Sequence, residues 1–119
     1  MKNRYCSYDI NTHQRRDTTM KTYYHATPIE NLESIINEGI KRNNLEKVVY
    51  LCEKPEDAAK FLRVYLCEHF VVIPVKVHER FIEESFDHSY QFFKCRAFMY
   101  HKDIPVRNID IDEILEYKN

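Results

Sequence analysis

Two short apolar strands, each followed by a helix, run from Tyr23 to Phe61, and this segment constrains the fold most strongly. The first strand carries Tyr-Tyr-His-Ala-Thr-Pro, the second carries Val-Tyr-Leu, and the chain's only glycine, Gly39, lies between them. Several strands combined with only two helices predict an α+β fold rather than a doubly wound one. The segment also places a histidine and a tyrosine on short strands backed by helices, a scaffold that can hold polar side chains in a cleft.

The helix between these two strands has clear start and stop signals. Thr27, Pro28 and Glu30 form a capping-box pattern, which predicts a helix that begins after Thr27. Apolar residues follow at helical spacing, and Gly39 supplies the left-handed residue that ends the helix. His25 is therefore predicted at a strand end, just before a helix N-terminus, which is a position suited to an anion or an amide ligand.

The remaining elements are predicted from apolar periodicity and turn residues. A second helix opens at Pro55 and continues to about Cys67. Pro74 places the strand around it at a sheet edge or a bulge, because proline cannot donate to a central ladder. The predicted strands are Thr22 to Ala26, Val48 to Cys52, Phe70 to Val77, Gln91 to Tyr100 and Asn108 to Tyr117, with a helical turn within Glu79 to Glu84.

Length and composition favour one small domain. The chain has 119 residues, of which 44% are apolar and 31% charged, as in ordinary globular domains. Residues 1–20 are polar without a sustained period, so we expect an N-terminal arm at 1–20 and the domain at 21–119. The sequence shows neither an apolar run that could span a membrane nor a secretory signal, so we expect a cytoplasmic protein without a membrane partner.

Charge and cysteine spacing argue against two further classes of function. A net charge of −1 does not indicate nucleic-acid binding, although a local basic patch would still permit it. The four cysteines lack the paired spacing of zinc sites, and three of them fall in apolar runs, so we interpret them as reduced. No histidine or cysteine spacing indicates a metal site.

The order of these motifs resembles the first half of the ADP-ribosyltransferase superfamily. The matching features are the Tyr-His-Ala-Thr strand, the helix that ends at Gly39, the Val-Tyr-Leu strand and the helix that opens with Pro-Glu-Asp-Ala. The resemblance extends over about Thr22 to Ile111. It implies a split β-sheet core with two main helices, NAD as co-substrate, and transfer of ADP-ribose to a protein, nucleic-acid or small-molecule acceptor.

The resemblance also implies roles for individual residues. His25 matches the histidine that hydrogen-bonds a ribose of NAD, and with Thr27 it would anchor the dinucleotide. Ala26 stands where glycine is usual, and its backbone would hold the nicotinamide carboxamide. Tyr50 and Phe61 match two aromatic residues that stack on nicotinamide, since flat π-faces suit a cationic ring.

Arg96 is the main departure from the family pattern. The family usually has a carboxylate at this position, which supports the positive charge that develops on the sugar, whereas an arginine repels that charge. Asp87 is the candidate substitute, because some branches take an aspartate from a loop, and Glu83 and Glu84 lie just upstream. The candidate catalytic residues are therefore His25, Tyr50, Asp87 and Arg96.

Arg96 also leaves two alternative functions open. The RNA 2′-phosphotransferases resemble the same fold and line a phosphate-binding cleft with a histidine and arginines, so Arg96 could bind phosphate in a bidentate manner. Their second strand has a different pattern from that at Val49 to Cys52. The other alternative is a catalytically inactive protein that keeps the fold as a binding or regulatory module.

Overall fold

The computed structural model of the protein describes residues 20–85 and 96–118. These residues form the mixed α+β fold that the sequence predicts. The described helices are α1, Leu32–Glu38, and α2, Pro55–Val64. The described strands are β1, Met20–Pro28; β2, Val49–Leu51; β3, His69–His78; β4, Ile82–Glu84; β5, Phe98–Tyr100; and β6, Leu115–Lys118.

The strands form two antiparallel sheets of three strands each. One sheet has the order β1-β3-β6 and the other has the order β2-β5-β4. An isolated bridge joins β1 to the end of β2, because the backbone groups of Tyr24 and Cys52 exchange hydrogen bonds of 2.8 and 2.9 Å. β1 otherwise pairs with β3 along its length and β2 pairs with β5, so the two sheets separate on either side of this bridge.

Two apolar clusters cover the two faces of the sheet β1-β3-β6. Alternation along β1 and β3 sends Tyr23 and Ile73 to one cluster, where Ile35 of α1 packs. The alternate residues of the same strands, such as Phe70 of β3, point to the other face and join a second cluster with Ala59 of α2. β3 is thus covered on both faces, which explains its nearly continuous run of apolar residues.

Pro74 lies inside β3, which is the middle strand of its sheet rather than an edge strand. Pro74 faces Tyr24, whose backbone groups point towards Cys52, so this pair exchanges no ladder hydrogen bonds. The missing N–H therefore faces the side of β6, and β6 pairs with β3 only from His69 to Val72. The ladder has already ended where the proline would interrupt it.

The capping box predicted at Thr27 is not formed, and α1 begins later than expected. Thr27 pairs with Val71 in the β1–β3 ladder, so its backbone is extended and β1 continues to Pro28. A 3-10 turn at Ile29–Asn31 follows, and the Thr27 hydroxyl accepts a hydrogen bond from Asn31 Nδ2 at 2.9 Å. The prediction that His25 ends a strand beside a helix N-terminus is therefore wrong.

Gly39 ends α1 as predicted. Its φ is 85°, and a Cβ atom there would lie 2.3 Å from the carbonyl oxygen of Ile104. Any side chain at this position would meet both an unfavourable backbone conformation and fixed main-chain atoms. The glycine thus allows the end of α1 to lie against the chain at Ile104.

Other element boundaries differ from the sequence predictions. A 3-10 turn at Ile111–Glu113 restricts the last strand to β6, and the segment from Glu79 to Glu84 divides into a 3-10 turn and β4. Most of the predicted arm, together with 86–95, lies outside the described residues. Among the described helices, neither has the length and apolar character needed to cross a membrane.

Candidate functional site

A cleft of about 490 Å³ lies where β1 and β2 separate. This volume is within the range of small-molecule sites, roughly 300–1,000 Å³. Five residues singled out from the sequence line it together: His25, Ala26, Thr27, Tyr50 and Phe61. The fold therefore brings the whole set of predicted NAD-binding residues to one surface.

Two sets of side chains in the lining of the cleft are named here the polar wall and the aromatic wall, and apolar residues such as Ile35 and Val49 lie among them. The polar wall comes from the start of α1 and the chain that follows Gly39, and its side chains are those of Asn31, Ser34, Lys41 and Asn43. The aromatic side chains that line the cleft are those of Tyr24, Tyr50, Phe61 and Tyr65. Such a division suits a ligand with a flat ring at one end and sugar or phosphate groups at the other.

His25 spans the gap between the two sheets. Its Nδ1 lies 2.9 Å from the carbonyl oxygen of Tyr50, so Nδ1 carries the proton and donates. Burial of the ring lowers the pKa of His25, and the hydrogen bond to the Tyr50 carbonyl offsets only part of this effect. The ring is therefore neutral at neutral pH, which leaves Nε2 as an acceptor.

The backbone of Ala26 is directed into the gap. Tyr24 directs its N–H and C=O to Cys52 of the other sheet, and backbone groups alternate in direction along an antiparallel strand. Ala26, two residues on, therefore directs its N–H and C=O to the same side. Had the bridge been extended by two residues, Ala26 would have faced Tyr50.

Tyr50 and Phe61 lie on the α2 side of the cleft. Val49 and Leu51 point into the core cluster next to α1, so alternation turns the side chain of Tyr50 to the opposite face. Phe61 packs against the second cluster, three residues after the buried Ala58 on α2. Two aromatic rings thus line the cleft from strand and helix.

Arg96 lies outside this cleft, where its exposed side chain precedes β5 of the sheet β2-β5-β4. Its guanidinium donates from Nε to Glu84 at 3.0 Å and from Nη2 to the same carboxylate at 3.1 Å. Its Nη1 lies 3.6 Å from Glu53. The hydrogen bond and charge of Arg96 lower the pKa of Glu84 below the usual range. Two carboxylates therefore compensate the charge of Arg96.

The charges that face the cleft are few. Of the residues described at 20–85 and 96–118, none that lines the cleft is an aspartate or a glutamate, and Lys41 is the one lysine or arginine. Asp87 lies outside the described residues, so its position relative to the cleft is not defined. The described part of the cleft therefore presents polar and aromatic side chains and one lysine, but no carboxylate.

Sequence reasoning missed several residues that line the cleft. Tyr65 follows Phe61 by four positions, so the helical period could have revealed it. Lys41 follows Gly39 closely, but nothing in the local sequence indicates which way its side chain turns. Asn31 and Ser34 were obscured because the sequence pattern places the helix start at the wrong residue.

Comparison with known proteins finds no family model that matches the chain and no curated protein with significant similarity to it.

Proposed function

We propose that this protein is an ADP-ribosyltransferase-like enzyme that binds NAD in the cleft between β1 and β2 and transfers its ADP-ribose to an acceptor. The observation that supports this proposal best is that five residues chosen from the sequence motifs line one cleft of suitable size. They come from two strands and a helix of the segment His25 to Phe61, and their chemistry matches the parts of NAD.

Three parts of NAD have a complementary group among the described residues of the cleft. The neutral His25 ring presents Nε2 as an acceptor for a ribose hydroxyl. The N–H and C=O of Ala26 suit a primary amide, which accepts one hydrogen bond and donates another, as the nicotinamide carboxamide does. Tyr50 and Phe61 offer aromatic faces to the cationic nicotinamide ring.

Transfer breaks the bond between the ribose C1′ and the nicotinamide nitrogen. The bonding electrons leave with nicotinamide, positive charge develops on the sugar, and a nucleophile of the acceptor then bonds to C1′ and loses its proton. A carboxylate near the sugar would stabilise the cationic transition state. Asp87 is our candidate for this group, because the cleft lining of the described residues contains no carboxylate.

A second candidate function is an NAD-binding protein without transferase activity. The lack of a carboxylate among the described lining residues favours it. Phosphate transfer through Arg96 receives less support, because that side chain is paired with Glu84 and Glu53 and does not line the cleft.

Binding is tested first by calorimetry with NAD. We expect Tyr50→Ala to weaken NAD binding roughly tenfold or more, since stacking on an aromatic side chain contributes about 1–3 kcal/mol per base. The matched variant Tyr50→Phe keeps the ring and should bind within about threefold of the wild type. Failure of the wild type to bind NAD would contradict both the transferase and the binding protein.

Transfer is tested by incubating labelled NAD with the protein and a cell lysate. Asp87→Asn should abolish label transfer while NAD binding persists, because the change removes the charge and keeps the size of the side chain. Asp112→Asn is the control, since Asp112 is exposed in a 3-10 turn and does not line the cleft. Binding without any transfer by the wild type would identify the protein as the inactive binder.

A further inference from the structure

Lys41 brings a positive charge to the polar wall of the cleft. It follows the end of α1 and lines the cleft together with Ser34 and Asn31. His25 is neutral, so Lys41 is the one cationic side chain among the described residues that line the cleft. An anionic part of a ligand would meet its compensating charge here.

The backbone at Lys41 is fixed on both sides. Ile40 exchanges two backbone hydrogen bonds of 2.8 Å with Ile104, and the backbone N–H of Arg42 donates to Asp103 Oδ1 at 2.8 Å. Ile40 is buried at 3% exposure, whereas Lys41 is exposed. These hydrogen bonds fix the backbone on either side of Lys41. Binding of a ligand would therefore reduce only the rotamer freedom of the Lys41 side chain, and no backbone ordering would add to the entropy cost.

The neighbouring charges leave Lys41 available for an anion. Asp103 is bound by the backbone N–H of Arg42 and by its side chain, with Nε 3.1 Å from the same oxygen. The backbone hydrogen bond from Arg42 is the main cause that lowers the pKa of Asp103, and the charges of Arg42 and Lys41 contribute further. The single carboxylate of Asp103 thus lies near two cations, Arg42 and Lys41, so the three side chains together carry a net positive charge.

We infer that Lys41 forms an anion subsite that binds the pyrophosphate of a dinucleotide in the cleft. The inference rests on the proposed function and specifies which part of the ligand the polar wall recognises. The Lys41 ammonium donates to phosphate oxygens, while Asn31 and Ser34 border the same wall with neutral polar groups. The aromatic side chains of the cleft then hold the rings, and Lys41 holds the phosphates.

The test compares ligands with and without phosphate. Lys41→Ala should weaken binding of NAD and of ADP-ribose roughly tenfold or more, as expected for hydrogen bonds to a charged group, and should leave nicotinamide riboside within about threefold. Lys41→Arg should restore most of the affinity. Lys76→Ala is the control, because it removes one positive charge from an exposed residue that does not line the cleft.

Salt dependence and pyrophosphate alone give two further readouts. NAD affinity of the wild type should fall more steeply with added salt than that of Lys41→Ala, because the lost contact is between charges. Equal losses for ADP-ribose and nicotinamide riboside, or no loss for either, would overturn the subsite. If the wild type binds inorganic pyrophosphate through Lys41 but does not bind NAD, the subsite stands and the proposed function fails. If it binds neither, both fail.

Discussion

His25 shows how one side chain acquires a role from the point at which two strands part. The sequence indicated a strand-end residue beside a helix N-terminus, but the residue lies within β1, and α1 begins only at Leu32. What defines its chemistry is the Tyr50 carbonyl 2.9 Å away, which fixes the tautomer. That carbonyl lies 25 residues along the chain, so no local pattern could have indicated the contact.

The altered pKa of His25 makes stability depend on pH in a defined direction. Burial lowers its pKa in the folded protein below the unfolded value of about 6.5. As pH falls through about 6.5, the unfolded chain therefore takes up a proton that the folded protein does not, and the free energy of unfolding decreases. Above that pH both states are neutral, and the contribution is constant.

Replacing the histidine should remove this dependence. We expect His25→Asn, whose amide can still donate to the Tyr50 carbonyl, to flatten the change in unfolding free energy between about pH 5 and 7. Chemical denaturation at several pH values measures this slope. An unchanged slope would show that His25 contributes nothing to it, and His78→Asn at the end of β3 is the control at another histidine.

The residues of the site were therefore predictable in identity but not in arrangement. His25, Tyr50 and Phe61 are candidates because the order of motifs in one short segment resembles that of a known family. Lys41 could not be assigned in this way, because its place beside the cleft depends on a chain segment that the bridge between Ile40 and Ile104 anchors. Long-range pairing of this kind leaves no trace in a local window of sequence.

At the scale of elements, the end of α2 is the clearest example of a helix end that the sequence does not predict. The helix was expected to continue to about Cys67, but it stops at Val64. The N–H of Cys67 bonds to the carbonyl of Leu62 at 3.0 Å and that of Leu66 bonds to Arg63 at 2.9 Å, which is a Schellman motif. Leu66 takes the left-handed position that glycine usually fills, with a φ of 61°. The sequence thus carries no visible stop signal.

Leu66→Gly should raise stability despite the loss of an apolar side chain. Leu66 is 85% exposed, so little buried area is lost, whereas the left-handed conformation costs a residue other than glycine about 1 kcal/mol. Part of this gain is offset by the greater freedom of glycine in the unfolded chain. We therefore expect up to about 1 kcal/mol of stabilisation, measured by urea denaturation.

Val64→Gly provides the opposite control within the same helix end. Val64 is 53% exposed but lies in the helix itself, where glycine is unfavourable by roughly 0.5–1 kcal/mol. This variant should be destabilised. If both glycine variants lower stability by a similar amount, the strain assigned to Leu66 is absent.

At the scale of the whole molecule, the two sheets share one buried apolar cluster, in which Tyr23 of β1 packs against Phe98 of β5, and polar contacts between described residues join them as well. Besides the bridge at Tyr24, Glu53 joins the sheets through ion pairs with Lys21 of β1 at 2.7 Å and with Arg96 before β5 at 3.6 Å. The hydrogen bond to Glu53 is the main cause that raises the pKa of Lys21. The α+β class follows from element count, but this junction depends on side chains far apart in the sequence.

Glu53→Gln should weaken the junction by a modest amount. The pair with Lys21 is partly exposed, 41% and 30% for the two side chains, so we expect a loss of roughly 0.5–1 kcal/mol at low salt. The difference from the wild type should shrink at about 1 M salt because the charges are then screened. Thermal unfolding at both salt concentrations measures this.

A second glutamate-to-glutamine variant separates the loss of the Glu53 ion pairs from the change in net charge. Glu68→Gln removes the same charge from an exposed position between α2 and β3, and its stability should stay within about 0.5 kcal/mol of the wild type. A Glu53→Gln loss that does not respond to salt would indicate that packing, not charge, joins the sheets there.

Every described residue that lines the cleft lies between Tyr24 and Tyr65, while the later strands support this segment from behind. The described site is thus one continuous stretch of chain held in shape by a separate one, with contacts such as that of Gly39 on Ile104. Ile35, Ile40 and Val49 line the cleft and also belong to the buried core, so a substitution at any of them would change the shape of the cleft and the free energy of unfolding together.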